Sequence, residues 1–128
     1  MRKALILFVA VILVFGAATA YAEPRADTEF RSASITLSST GICTYSASTY
    51  ENKERIEIVQ AYLFKKTNGI WECVTDLPVP SYVAENWCSY GASINYYAYM
   101  GYGEFRVQAL FRADGHDVYR YSNGQIFW

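Results

Sequence analysis

The sequence predicts an all-β chain, a single antiparallel sandwich of about seven short strands behind an export signal. Three observations carry this. From Ala33 onward, apolar and polar residues alternate with a period of two. Turn signals interrupt the alternation every roughly 8–12 residues. No stretch of the chain beyond residue 22 sustains the 3.6-residue period of a helix.

Residues 1–22 read MRKALILFVAVILVFGAATAYA. Arg2 and Lys3 form a basic start, Ala4 to Phe15 is an unbroken apolar run, and Gly16 ends it. Ala20-Tyr21-Ala22 then places small residues where a signal peptidase needs them. As a helix the apolar run covers roughly 18 Å, short of the ~30 Å hydrocarbon core of a bilayer. Cleavage after Ala22 is therefore expected rather than an uncleaved anchor. The expected division is 1–22 signal peptide, 23–31 polar leader and 32–128 β-sandwich domain, with a secreted, extracellular product that is free of the membrane once cleaved.

The chain has 128 residues, 52% of them hydrophobic, 17% aromatic and 18% charged, with a formal net charge of −1. Cleavage removes two basic residues and no acidic one, so the remaining 106 residues carry −3. They keep 11 of the 12 tyrosines, all three tryptophans and five of the seven phenylalanines. Such a chain has no basic excess with which to displace the counterions of a nucleic acid. It is long enough to bury roughly two-thirds of its unfolded surface around one core.

Each element follows in order. Ala33, Ile35 and Leu37 alternate with Ser34, Thr36 and Ser38, and Ser39-Thr40-Gly41 turns the chain. Cys43, Tyr45, Ala47 and Thr49 form the inward set of a second strand, and Glu51 to Glu54 break the pattern. A third strand runs from about Ile56 to Lys66, with Ile56-Glu57-Ile58 also compatible with a helical turn. Thr67-Asn68-Gly69 is a hairpin signal, because Asn-Gly accepts the positive φ angles of a tight turn. Ile70 to Thr75 returns, carrying Trp71, which is expected in the core. Leu77 to Ser81 holds two prolines and cannot be a central strand. Ala92, Ile94, Tyr96, Ala98 and Met100 alternate with Ser93, Asn95, Tyr97 and Tyr99. Gly101-Tyr102-Gly103 turns the chain into Phe105–Arg112, and Ala113 to His116 form another hairpin turn into Val118–Tyr121. This density of short strands has immunoglobulin or fibronectin type III character.

The run Gln60-Ala61-Tyr62-Leu63-Phe64-Lys65-Lys66-Thr67-Asn68-Gly69-Ile70-Trp71-Glu72-Cys73-Val74 resembles a hairpin of small secreted proteins of Firmicutes. The later run from Ala92-Ser93-Ile94-Asn95-Tyr96 through Phe105-Arg106-Val107 to Asp114-Gly115 resembles the same family. The likeness covers most of residues 33–121, at turn and core positions. It implies a signal peptide and one β-sandwich domain, and it transfers no active site. This chain departs from the family in its three cysteines and its tyrosine load.

Three cysteines permit one internal disulfide at most. Cys73–Cys88 is the favoured pair because Cys43 sits mid-strand on the core-facing side, with Cys43–Cys73 and Cys43–Cys88 as rivals. A zinc site is not expected, since there is no CxxC and His116 is the only histidine. His116 lies in a predicted turn, where a solvated polar residue is ordinary. Glu51, Glu54 and Glu57, and the pair Asp114 and Asp117, read as solvated loops rather than as the two opposed acids of a glycosidase. No phosphate-cradling or dinucleotide motif occurs, and no cofactor is expected.

The aromatic surplus is the one feature beyond a plain sandwich. With Ile94, Tyr96 and Ala98 facing in, Tyr97 and Tyr99 face out, with Tyr90 and Trp87 before them and Tyr102 after. Trp87, Tyr97, Tyr99 and Tyr102 are the candidate binding residues, since flat rings with polar tips are enriched at recognition surfaces. The plain reading is that Tyr simply favours strands. Ile126-Phe127-Trp128 either packs as a last strand or stands exposed as an apolar tag. The expected function is non-catalytic binding of a cell-envelope or host glycan or an extracellular protein. A small secreted toxin or bacteriocin-like effector is the alternative, disfavoured by the acidic charge. A carbohydrate-active hydrolase is the remaining one.

Overall fold

The computed structural model describes residues 29–128, and the expected signal peptide and most of the expected polar leader lie outside them. Seven strands form one antiparallel sheet: β1 (Phe30–Leu37), β2 (Ile42–Thr67), β3 (Ile70–Leu77), β4 (Ala84–Asn95), β5 (Gly103–Ala113), β6 (His116–Tyr121) and β7 (Gln125–Phe127). A single 3-10 turn, Tyr97–Tyr99, separates β4 from β5. β1 begins inside the expected leader, because Phe30 is already a buried core residue.

The 26-residue strand β2 organises everything else. Along one of its edges β3 pairs with residues 61–67 and β4 with residues 42–56, so β3 and β4 lie end to end. Along the other edge β1 pairs with residues 43–49 and β5 with residues 56–65. β6 and β7 then both pair with β5. Phe111 of β5 meets Phe30 of β1 and Tyr45 of β2 edge-to-face at 6.3 and 6.2 Å, which joins the two ends of the bent sheet in one core.

The polar run Glu51–Glu54, expected to end a strand, instead lies within β2. The inward set is Cys43, Tyr45, Ala47 and Thr49, then Ile56 and Ile58, then Ala61 and Leu63. The alternation thus changes parity twice. Ladder irregularities between Ser48 and Lys53 and between Ile58 and Gln60 accompany those changes. Bulges of this kind bend a strand without ending it. Asp114, in the β5–β6 turn, reinforces the bend by accepting the backbone N–H groups of Glu54 (3.1 Å) and Arg55 (2.9 Å). Lys53 pairs with Glu29 beside it.

The β1 edge is closed by side chains. Asn123 accepts from the Leu37 N–H at 2.9 Å and donates to the Leu37 carbonyl at 3.0 Å, acting as one rung of a strand. Arg120 adds a bond to the Ala33 carbonyl. These contacts satisfy backbone groups that an open edge would leave to solvent or to another chain.

Three expectations are corrected. Cys73 and Cys88 form no disulfide, and neither does either pairing with Cys43: all three thiols are free. Cys73 lies opposite Phe64, whereas Cys88 lies by the Ser48–Lys53 irregularity, so end-to-end placement along β2 keeps them apart. A disulfide needs Cα atoms within roughly 7 Å. Trp71 is half-buried on the outer face rather than in the core. Ala98 is exposed in the 3-10 turn, because the Asn95 side chain accepts the Tyr97 N–H at 2.8 Å and stops the strand at the buried Tyr96.

Candidate aromatic groove

Tyr97 is placed by the glycine opposite it. Gly41 adopts φ +86°, and a Cβ there would lie 2.7 Å from the Cβ of Tyr97 and 2.8 Å from its Cα. Only a residue without a side chain admits the Tyr97 backbone so closely. The Gly41 carbonyl accepts the Tyr96 N–H at 2.8 Å, fixing the start of the turn. The turn then closes through Tyr99 N–H to the Tyr96 carbonyl (2.9 Å) and Met100 N–H to the Tyr97 carbonyl (3.1 Å).

The other wall comes from the far end of the chain. β7 pairs with the first three residues of β5, setting Phe127 opposite Gly103. The buried Phe127 ring packs edge-on against Phe105 at 6.0 Å and Tyr97 at 6.3 Å. Between these walls is a groove of about 510 Å³, lined chiefly by Ser39, Tyr97, Met100, Tyr102, Ile126 and Trp128. Tyr102 is 78% exposed and Trp128 90% exposed. No Asp, Glu, His, Lys or Arg side chain lines the groove. Its recognition chemistry is ring faces, a thioether and neutral hydrogen-bonding groups.

The sequence candidates are therefore divided. Tyr97 and Tyr102 meet in the groove. Tyr99 is exposed next to them and packs edge-on against the buried Tyr96 at 6.2 Å, outside the lining. Trp87 is exposed on β4 opposite Lys53, at the other end of that strand. The C-terminal run both packs and displays: Phe127 is buried, while Ile126 and Trp128 are exposed. Ile126 and Trp128 reach the site through the β5–β7 pairing and Met100 through the end of the 3-10 turn, and no local pattern announces their meeting.

A second hollow of about 380 Å³ lies along Val59–Tyr62 and Asp76–Val79 and holds one carboxylate, Asp76. Neither hollow brings two carboxylates together, as glycoside hydrolysis requires. His116 is exposed at the start of β6. Among the described residues no group of three His, Cys, Asp or Glu side chains is arranged to hold a metal ion. No protein family, curated protein or solved structure matches the chain.

Proposed function

We propose that the protein is a secreted, non-catalytic binding module whose groove takes a neutral portion of an extracellular or cell-envelope glycan. The observation that carries this is a lining without charged side chains, in which Tyr97, Tyr102 and Trp128 converge on one concave surface. Sugar rings present apolar faces that stack on aromatic side chains, and their hydroxyls bond to neutral donors and acceptors. Tyr97 is held by Gly41 and Phe127, so little freedom is lost when a ligand stacks on it. The export signal in residues 1–22 supports an extracellular setting.

The immunoglobulin or fibronectin III-like sandwich reading of the fold belongs to this proposal. It is supported by Phe111 bridging Phe30 and Tyr45 across the core. The likeness to small secreted Firmicute proteins points the same way.

A glycan array probed with the described domain tests the function. Specific binding is expected, and Tyr97→Ala, Tyr102→Ala and Trp128→Ala are each expected to weaken it about tenfold, or about 1.4 kcal/mol. Trp87→Ala is expected to leave it unchanged. An array with no binders, or equal binding by all four variants, refutes the proposal.

A further inference from the structure

The outer face of the sheet carries a second aromatic cluster that the groove does not use. The guanidinium carbon of Arg106 on β5 lies 4.5 Å from the Trp71 ring centre and 3.9 Å from that of Tyr121. The Tyr121 ring in turn meets Phe64 edge-on at 5.8 Å. Arg106 and Phe64 are cross-strand partners, so the rings and the cation form one packed unit. Gly124 lets this unit close up, since a Cβ there would lie 2.7 Å from a Glu104 carboxylate oxygen and 3.4 Å from the Trp71 ring.

Arg106 differs from Arg55 and Arg112, at the other end of the β2–β5 ladder. Arg55 and Arg112 each grip a carboxylate through two nitrogens, on Glu57 and Asp117. Among the described residues Arg106 has no ion pair, and its Nε is buried without a hydrogen-bond partner. Its terminal nitrogens make no protein hydrogen bond there either. Two rings therefore orient a guanidinium whose planar fork matches a carboxylate or sulfate, and the orientation is set before any ligand arrives. Lys66, 5.6 Å from the Trp71 ring centre, adds positive charge, offset in part by Glu104 at 3.9 Å.

We propose that Arg106, held by Trp71 and Tyr121, is an oxyanion-recognition site for the carboxylate or sulfate substituent of an acidic saccharide. Position links it to the groove. Trp71 pairs with Lys66, Lys66 reaches Glu104, and Glu104 pairs with Ile126, a groove-lining residue. A saccharide chain leaving the groove past Ile126 crosses this row towards Arg106. The saccharide part rests on the groove reading, and the anion part does not.

The test follows the Arg106 Nε–H and Trp71 indole resonances of the labelled domain by NMR. Sodium acetate, sodium sulfate, an oligogalacturonate, a sulfated oligosaccharide and a neutral cello-oligosaccharide are titrated at low salt. The expected result is a saturable shift with every anion, tightest with an acidic oligosaccharide, weakening as ionic strength rises. Arg106→Lys, followed through Trp71, is expected to weaken it about tenfold with an unchanged circular dichroism spectrum. Tyr97→Ala is expected to leave the acetate and sulfate response intact. No shift with any anion, or a response in Arg106→Lys and Arg106→Gln equal to that of the unsubstituted protein, overturns the anion site. Shifts at Arg106 with sulfate while every saccharide leaves the groove unmoved refute the groove reading and the saccharide part, and leave the anion site standing.

Discussion

Tyr96 ties the core to the loop that separates β3 from β4. Its hydroxyl donates to the Pro78 carbonyl at 2.6 Å, and the buried Tyr45 hydroxyl lies 2.9 Å from it. With the Tyr96 proton committed to Pro78, Tyr45 is the donor between the two rings. Tyr96→Phe strands both Pro78 and Tyr45 and is expected to cost about 2–3 kcal/mol, against about 1 kcal/mol for Tyr45→Phe. Urea unfolding of the two variants checks the order. The same burial sets the alkaline limit of the fold. Burial pushes the Cys43 thiol from its ordinary 9.0 up to about 12, and raises Tyr45 and Tyr96 above the ordinary phenol value of 10.0. A raised acid is neutral in the fold and ionises more readily when unfolded. The stability it contributes is whole below its ordinary value and is lost as pH climbs towards the folded one. Urea midpoints are therefore expected to hold from pH 7 to about 9 and to fall steadily above it; a constant midpoint to pH 11 would contradict this. The thiols supply a third check. Cys73 is exposed, Cys88 partly so and Cys43 buried, which predicts that a thiol reagent labels Cys73 first and Cys43 only in denaturant. Reduction is expected to leave the intact mass unchanged.

Glycines at two turns show how an element and the groove share a constraint. Asn68 and Gly69 both take positive φ, 53° and 80°, in the tight β2–β3 hairpin, and a Cβ on Gly69 would meet nothing. Gly69→Ala is expected to cost about 1 kcal/mol of backbone strain alone. Gly41→Ala adds a collision with the Tyr97 backbone and is expected to cost about 3 kcal/mol. It should also abolish groove binding, so thermal unfolding and ligand titration on both variants separate the effects. The hairpin was legible because Asn-Gly states its own geometry. β1, the first part of β2 and β5 were legible through period-two alternation that matches their buried faces, and β6 through the Asp-Gly turn before it. The continuity of β2 was not, because Glu51–Glu54 hide a strand whose inward set changes parity at two bulges. Tyr97 and Tyr102 stood out as rings beyond the needs of the core. The C-terminal run was readable as packed or exposed, but the meeting of Trp128 with these rings was not, since it depends on β7 returning to β5 over some twenty residues. Trp71 was misread as core because an indole in a mixed strand carries no sign that cations will cover it.

At the scale of the whole molecule, one bent strand lets a small domain use its aromatic residues in two ways. Tyr45, Tyr96, Phe105, Phe111 and Phe127 fill the core, while Tyr97, Tyr102 and Trp128 are displayed at one end of the sheet. The edge bonds of Asn123 and Arg120 hold β1 against the β6–β7 segment, from which the second groove wall continues. The groove thus rests on core packing at Tyr97 and Phe127, and a ligand should enter it with little backbone change there. The most direct test is chemical-shift mapping of the labelled domain with a saccharide selected on the array. The predicted result is saturable shifts confined to residues 39–41, 97–103 and 125–128, including the Trp128 indole N–H, with β4 around Trp87 silent. Shifts centred on Trp87, or spread evenly over the sheet with none at Trp128, would contradict it.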